Sequence, residues 1–533
     1  MLGSEPGAAP PPPRPPLTTA EGLARNVLFS VATQAWIIVL SLVTIRIVVH
    51  GLGADAYGVF VIASLLLGYV AFLDLGLTPA VVRSIAQHRA AGKAEGLERI
   101  IRTAFGTLLI LGLVGGVVLA LLTPFAVTTL LHIPAALQGD ARFVFYLAAL
   151  AFVFNMGLVV FAAIPQGLQR LDLLSIRNAV LTTSTAIGQI AVIELGGGLR
   201  WLAIVSFASN VGSLAVLGIL APRLLPGMNL RPRISVDALR ELASFGAKRF
   251  VSQTAVQAIF QLDRIIVGAF LPIRAVTFYS VPLSITQRFL VFHGSITNTY
   301  FPAASELHGL RDTTRMRRLY LTTLKFNAVL MILLVALVGA LATPILDAWL
   351  GSAFAQGSSR ILVVLALAYG LVALGGLSGQ LTDASGHPGW TAGFVVVSAV
   401  VNIALSIALV PRVGAIGAAY SLLLANGVGG LVFLTITQQR LLRLSIGETL
   451  AQVVRPAAAG AVVAAGAYAA APHLHGIAPV LAALLAGSAL YVLLTFLLGV
   501  WDARERRLAR ETIVAVAPFT RSLIGGEPRE EGP

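Results

Sequence analysis

The sequence predicts an all-α polytopic membrane protein. About fourteen transmembrane helices form two parallel six-helix lobes, and two extra helices follow at the C-terminal side. Three observations carry this prediction. Of the 533 residues 57% are hydrophobic and only 11% charged, with a mean hydropathy of +0.88, whereas a soluble domain carries about 25% charged residues. Fourteen runs approach or exceed the roughly 20 apolar residues that cross a bilayer. The first six of these runs also resemble the next six.

The elements follow in order. Residues 1–26 contain APPPPRPP and read as a disordered, Pro-rich cytoplasmic tail. They lack a basic stretch followed directly by an apolar core, so they do not read as a signal peptide. The expected spans are 27–49, 57–77, 104–130, 143–165, 178–197 and 201–221, which make an N-lobe over 27–221. A cytoplasmic linker, 222–242, leads to a C-lobe over 243–436 with spans 243–271, 276–302, 322–346, 360–383, 390–411 and 414–436. Spans 455–472 and 478–500 occupy the segment 437–500, and a basic tail covers 501–533. Within that tail RERRLAR (504–510) reads as an interfacial amphipathic helix.

Lysine and arginine set the orientation. With both termini in the cytoplasm, 29 of the 37 fall on the inner side. The outer loops hold Arg142, Arg200, Arg274, Arg360 and Arg412. Arg46, Arg264 and Arg288 stand inside spans. The net charge of +14 is thereby a matter of topology and of attraction to anionic lipid, not of nucleic acid binding. Cysteine is absent, which excludes disulfides and thiolate chemistry.

The internal repeat has four landmarks in order. GGLRWLAIVSFASNVG (197–212) precedes VGAIGAAYSLLLANGV (413–428), with Gly198 on Gly414 and Asn210 on Asn426. GLGADAYGVF (51–60) corresponds to FLPIRAVTFYS (270–280), and TPA (78–80) to FPA (301–303). An even number of spans separates the copies, so they share one orientation. Such parallel repeats leave a substrate site between them near the midplane. Spans 1, 2, 7 and 8 line it under that symmetry, and all three intramembrane arginines lie on those spans.

LGADAYGVF, a span ending in LDLGL, VVRSIA, IPQGLQRLDLLSIRN (164–178), LDRIIVGAFL, LTDASGHPGW (381–390) and VVNIALSIALVPRVGAIGAAYS (400–421) together resemble the polysaccharide exporters. These are the Wzx-type lipid-linked oligosaccharide flippases of the multidrug/oligosaccharidyl-lipid/polysaccharide (MOP) exporter superfamily. The resemblance covers roughly residues 25–500. It implies a V-shaped, MATE-like transporter in the bacterial inner membrane. Its expected substrate is an undecaprenyl-pyrophosphate-linked glycan for O-antigen, capsule or exopolysaccharide. It implies no cofactor beyond a coupling ion, proton or sodium. The expected partners are the lipid-linked oligosaccharide, membrane lipids, a polysaccharide polymerase and a chain-length regulator.

Five residues are site candidates. A charge at the bilayer centre costs at least about 2.5 kcal/mol, so such groups face a bundle interior or a wet cavity. Arg288 is the deepest: it either receives a phosphate or acidic sugar, for which its planar fork is suited, or pairs with an acid such as Asp263. Asp263 and Arg264 are adjacent, point about 100° apart and cannot pair well with each other. Either of them can line the cavity or brace a neighbour, and Asp263 can also titrate as a coupling-ion site. Arg46 is either an interfacial snorkel or a partner of Arg264 in a dianion receptor. His293, inward of Arg288, is either structural or proton-coupled. Asp74, Glu194 and Asp383 lie near span ends and read as interfacial. Asn155, Gln189, Asn210, Asn402 and Asn426 read as interhelical hydrogen-bond partners.

Catalysis is disfavoured: no nucleophile motif, metal-ligand spacing or phosphate loop occurs. A glycan polymerase needs a sizeable outer loop, and every outer loop here is about a dozen residues or less. A lipid II flippase of the same superfamily remains an alternative. A drug antiporter would have twelve spans and a cavity richer in carboxylate.

Overall fold

A computed structural model describes residues 20–68, 77–90, 94–229, 231–502 and 505. The Pro-rich tail before residue 20, Asp74 and all of RERRLAR except Glu505 lie outside the described residues. Among the described residues every extended element is a helix, and ten helices are long and apolar enough to span a membrane. It is a multi-pass membrane protein. The architecture suits the solvent: in lipid each backbone amide must be satisfied within its own segment.

The N-terminal group comprises α1 (Ala20–Gly68), α2 (Leu77–Ala90), α3 (Ala94–Phe125), α4 (Ala135–Gly167), α5 (Leu171–Glu194) and α6 (Leu199–Leu224). A π-turn, Ala126–Leu130, extends α3. α7 (Val236–Phe270) starts against this group, where Ala238 and Leu242 join Ile85, Leu97 and Ile100 in one core. It then leads to α8 (Arg274–Thr286), α9 (Arg288–Gly309), α10 (Thr313–Ala340), α11 (Ala342–Leu350) and α12 (Ser352–Ala384). α13 (Pro388–Val413), α14 (Ile416–Leu422), a π-turn (Leu423–Val428) and α15 (Gly429–Leu442) complete the second group. α16 (Ile446–Ala470) and α17 (Ile477–Leu497) pack on the outside of α10, where Ala459, Val463 and Tyr491 meet Leu337.

The other expected spans are present in altered form. Span 1 and the described part of span 2 are the two arms of α1, broken at Gly53 (φ 79°, ψ 166°), a conformation that an L side chain resists; residues 69–76 of span 2 lie outside the described residues. Span 5 is α5 and span 7 is α7. Span 8 is divided into α8 and α9 by an interruption at Gln287. Pro282 in α8 cannot donate to the carbonyl of Phe278, and Ser358 of α12 donates to that carbonyl instead at 3.0 Å. The expected span 322–346 is α10, which ends at Ala340, six residues short of the expected bound. The helix breaks at Leu341, and α11 follows as a separate short helix that carries Ala348 and Trp349 toward α1.

α12 is the hub of the second group and two-thirds buried over its most apolar window. It meets α15 backbone to backbone: a Cβ on Gly375 would stand 2.8 Å from the backbone of Gly430. Small residues allow such close crossings in membranes. Gly375→Val is therefore expected to destabilise the protein by about 1–3 kcal/mol through overpacking. A lowered midpoint of thermal unfolding in detergent is the readout, and an unchanged midpoint would count against the backbone contact.

Candidate functional site

A cavity of about 460 Å³ opens within the N-terminal group between α1, α5 and α6. Its polar lining consists of hydroxyls (Ser41, Thr44, Thr182, Thr185, Ser209, Ser213), amides (Asn178, Gln189, Asn210) and one guanidinium, Arg177; no carboxylate is among them. From Arg177 to Gln189 the helix rises about 18 Å, so the polar surface runs well into the bilayer. Interhelical bonds hold it open. Trp36 Nε1 donates to Thr183 at 3.3 Å, Gln189 Nε2 donates to Ser206 Oγ at 3.1 Å, and the hydroxyls of Thr185 and Ser209 pair.

Arg177 escaped the sequence analysis. Hydropathy placed the start of its span at residue 178, which made Arg177 an inner-margin charge. The helix in fact begins at Leu171, about 9 Å of helix earlier. One side of the guanidinium, Nε and Nη2, donates to Asn178 Oδ1, with Nη2 at 2.6 Å. Nη1 is buried without a partner in the protein. A buried unpartnered donor of a charged group is costly, and an anionic or hydroxyl-rich ligand would satisfy it. The available signal was its place in IPQGLQRLDLLSIRN, a stretch singled out only for its resemblance.

None of the five sequence candidates lines this cavity, but Arg288 reaches it. The first residue of α9, half-buried, it donates from Nη2 to Ser41 Oγ at 3.0 Å across the two groups. Ser41 is a lining residue, so the cavity has one guanidinium on its wall and another at its edge. Among the described residues no ion pair joins Arg288 to Asp263.

Asp263 is buried inside the second group. It accepts from Ser406 Oγ at 2.8 Å, Asn402 Nδ2 at 2.9 Å and Tyr279 Oη at 3.2 Å, which ties α7 to α13 and α8. Asn402 lies at 0% exposure and its Oδ1 has no donor. Arg264, one residue on, turns Nη2 back toward the carbonyl of Phe260 at 3.4 Å and leaves Nε buried without a partner. Its bonds give no contact with Arg46. His293 sits between helices of the second group: Nδ1 meets Asn327 Oδ1 at 3.3 Å, and a Cβ on Gly376 would stand 2.8 Å from Nε2.

Arg46 donates from Nη1 to the carbonyl of Ala348 at 2.9 Å, a contact between the groups. It belongs to a belt of contacts at one end of the bundle. Trp349 Nε1 donates to the carbonyl of Leu42 at 3.1 Å, and Thr277 Oγ1 to that of Ala54 at 2.6 Å. His132 and Pro272 form a bridge, and a Cβ on Gly58 would stand 2.4 Å from the Ile273 carbonyl oxygen. At the opposite, arginine-rich end α9 packs chiefly on α10 and α12 of its own group and leaves Phe292 and Phe301 exposed.

With this geometry in place, known proteins can be compared. Residues 23–308 match the family of polysaccharide biosynthesis proteins. A candidate O-antigen transporter of Shigella flexneri is 25% identical over 417 residues, which cover 75% of this chain and 94% of that one. The structure of the lipid II flippase MurJ in an inward closed conformation superposes with a TM-score of 0.69 at 13% identity, over 88% of this chain and 98% of the flippase. An inward-facing multidrug transporter of the MATE family of the MOP superfamily reaches 0.65 at 16% identity, over 76% and 94% of the two chains. The fold is therefore the one these two transporters share. Matched over more than half of its length, the chain belongs to the polysaccharide biosynthesis protein family.

Proposed function

We propose that the chain is an alternating-access flippase. It carries an undecaprenyl-pyrophosphate-linked oligosaccharide from the cytoplasmic to the outer leaflet of the bacterial inner membrane, for O-antigen, capsule or exopolysaccharide assembly. The lining of the cavity carries this reading. Hydroxyls and amides suit sugar hydroxyls, and Arg177 with Arg288 suits phosphate. No carboxylate of the lining opposes a negative head. The candidate O-antigen transporter points to the same class of cargo.

In this reading both termini are cytoplasmic and the arginine-rich end is the entrance. Residues 27–221 and 243–436 act as two lobes, joined by the linker 222–242. The belt from Leu42 to Ile273 closes the outer end, so the structure corresponds to an inward-facing state. The polar head enters past Arg177 and reaches Arg288 near the midplane, while the lipid tail stays in the bilayer. The lobes then rock and the head leaves outside, where a polymerase and a chain-length regulator would take it over. Each negative charge moved outward gains about 2.3 kcal/mol per 100 mV of inside-negative potential.

Asp263 is the group we assign to ion coupling, by proton or sodium. Its carboxylate and Asn402 Oδ1, which has no donor in the protein, together offer oxygens to a cation, and the cluster joins α7 to α13 in one lobe. Asp263→Asn keeps the volume and removes the charge. The variant should still flip lipid without a gradient, and its rate should no longer respond to an imposed proton or sodium gradient. A wild-type response to either gradient that persists in the variant would return Asp263 to a structural role.

The function itself is tested in proteoliposomes with a fluorescent undecaprenyl-pyrophosphate oligosaccharide and a membrane-impermeant quencher. The expected result is transfer well above that of protein-free vesicles. Transfer of lipid II in its place would identify a peptidoglycan-precursor flippase. Glycan growth without a partner enzyme would identify a polymerase. Transfer of neither lipid by folded protein would overturn the reading.

A further inference from the structure

A second cavity, of about 630 Å³, lies in the second group between α13 and the arm formed by the π-turn Leu423–Val428 and α15. Its lining is apolar along nearly its whole length. Val397, Val401, Leu424 and Val432 are exposed there with no protein covering them. Phe394 and Phe433 stack at 4.6 Å with their planes 3° apart. At Gly393 an added Cβ would meet nothing within 4 Å, so the space beside it is open. One end of the groove differs in chemistry, because it carries Trp390 and Arg440. Arg440 is exposed and has no hydrogen bond or ion pair with any described residue, and no carboxylate lines the groove.

The dimensions identify the occupant. From Trp390 to Val401 the helix rises about 16 Å, close to half of the roughly 30 Å hydrocarbon thickness. The Arg440 end lies beside Arg443 on the arginine-rich face, which the charge rule places in the cytoplasm. The groove therefore runs from cytoplasmic headgroup depth to the bilayer midplane, with an interfacial tryptophan and a free guanidinium at its polar end. An apolar groove one leaflet deep, with one cation in its lining, at the polar end, matches a lipid with an anionic head and a chain of leaflet length. A polyprenyl tail is longer than a leaflet is deep and would extend past Val401 and Leu424.

We infer that this groove holds one acyl chain of an anionic phospholipid of the cytoplasmic leaflet, with Arg440 on its phosphate. The site is distinct from the cavity between α1, α5 and α6 and does not depend on what that cavity carries. A lipid held here spans α13 and α15, so it links two helices that pack on the α12 hub.

The test uses the full chain in liposomes containing a trace of phosphatidylglycerol with a diazirine at the end of one acyl chain. Photolabelled residues are mapped by mass spectrometry. Label should concentrate on 393–401 and 424–436, at least about three-fold above that from phosphatidylcholine bearing the same diazirine. Arg440→Gln should lower the phosphatidylglycerol signal to the phosphatidylcholine level. Gly393→Phe, which fills the open space, should remove both signals. Equal labelling by the two lipids in the wild type would overturn the inference, and so would labelling that neither variant changes. Displacement of the label by equimolar undecaprenyl phosphate would also overturn it, in favour of an isoprenoid occupant.

Discussion

Arg288→Ala should lower translocation of an undecaprenyl-pyrophosphate oligosaccharide by about ten- to hundred-fold while leaving the protein folded. A hydrogen bond to a charged group contributes about 1.5–3 kcal/mol, and each 1.4 kcal/mol is about a factor of ten. The variant is a clean one because Arg288 makes its bond to a hydroxyl that is otherwise satisfied. Ser41 Oγ itself donates to the carbonyl of Ile38 at 3.0 Å, so truncation of Arg288 leaves no orphaned donor on α1. Arg288→Lys should recover only part of the rate, because a point charge lacks the planar fork that grips two phosphate oxygens. The measurement is the initial rate in proteoliposomes at matched protein incorporation. A wild-type rate in the alanine variant would remove Arg288 from the cargo path and leave it as a brace between the groups. The same assay on Arg177→Ala then separates entry from passage: loss there alone would place recognition at the inner part of the cavity.

Gly58→Val should shift the protein out of the conformation described here. The Cβ position at Gly58 lies 2.4 Å from the Ile273 carbonyl oxygen and 3.2 Å from Thr277 Oγ1. The first of these is backbone and cannot turn aside. Overpacking of this kind costs about 1–3 kcal/mol, and here the cost falls on the belt of contacts between the two groups, the outer end in the proposed orientation. A state in which that end opens is relieved of it, so the ratio of the two populations should change by about five- to hundred-fold. Spin labels at Leu195 and Val413 report the separation. Leu195 is 87% exposed and Val413 49%, and the chain has no cysteine, so Leu195→Cys and Val413→Cys provide the only thiols. The distance distribution should gain a longer component in Gly58→Val. An unchanged distribution would mean that the belt of contacts does not hold the outer end shut. Translocation should fall together with the shift, since each cycle needs that end to close again.

The amino-acid sequence by itself determined the class of molecule, its helical content and its family. Those properties rest on composition and on apolar runs, and a bilayer leaves few structures open to such a chain. It also singled out Asp263 and Arg288, because charge in the middle of an apolar run is conspicuous whatever surrounds it. The partners of those charges were beyond its reach. Asp263 is satisfied by Tyr279, Asn402 and Ser406, the last two more than a hundred residues away, and Arg288 by Ser41 from the other half of the chain. Such pairs are fixed by how helices cross, which a hydropathy pattern does not encode. Arg177 was hidden for the same reason: an arginine at the edge of an apolar run reads as a boundary until the helix is seen to begin six residues earlier. The break at Leu341 was invisible because apolar residues continue through it, yet it is this break that brings Ala348 to Arg46. Local chemistry settled what each segment is, and only tertiary packing decided which polar groups meet, because a buried donor takes whichever acceptor the neighbouring helix presents.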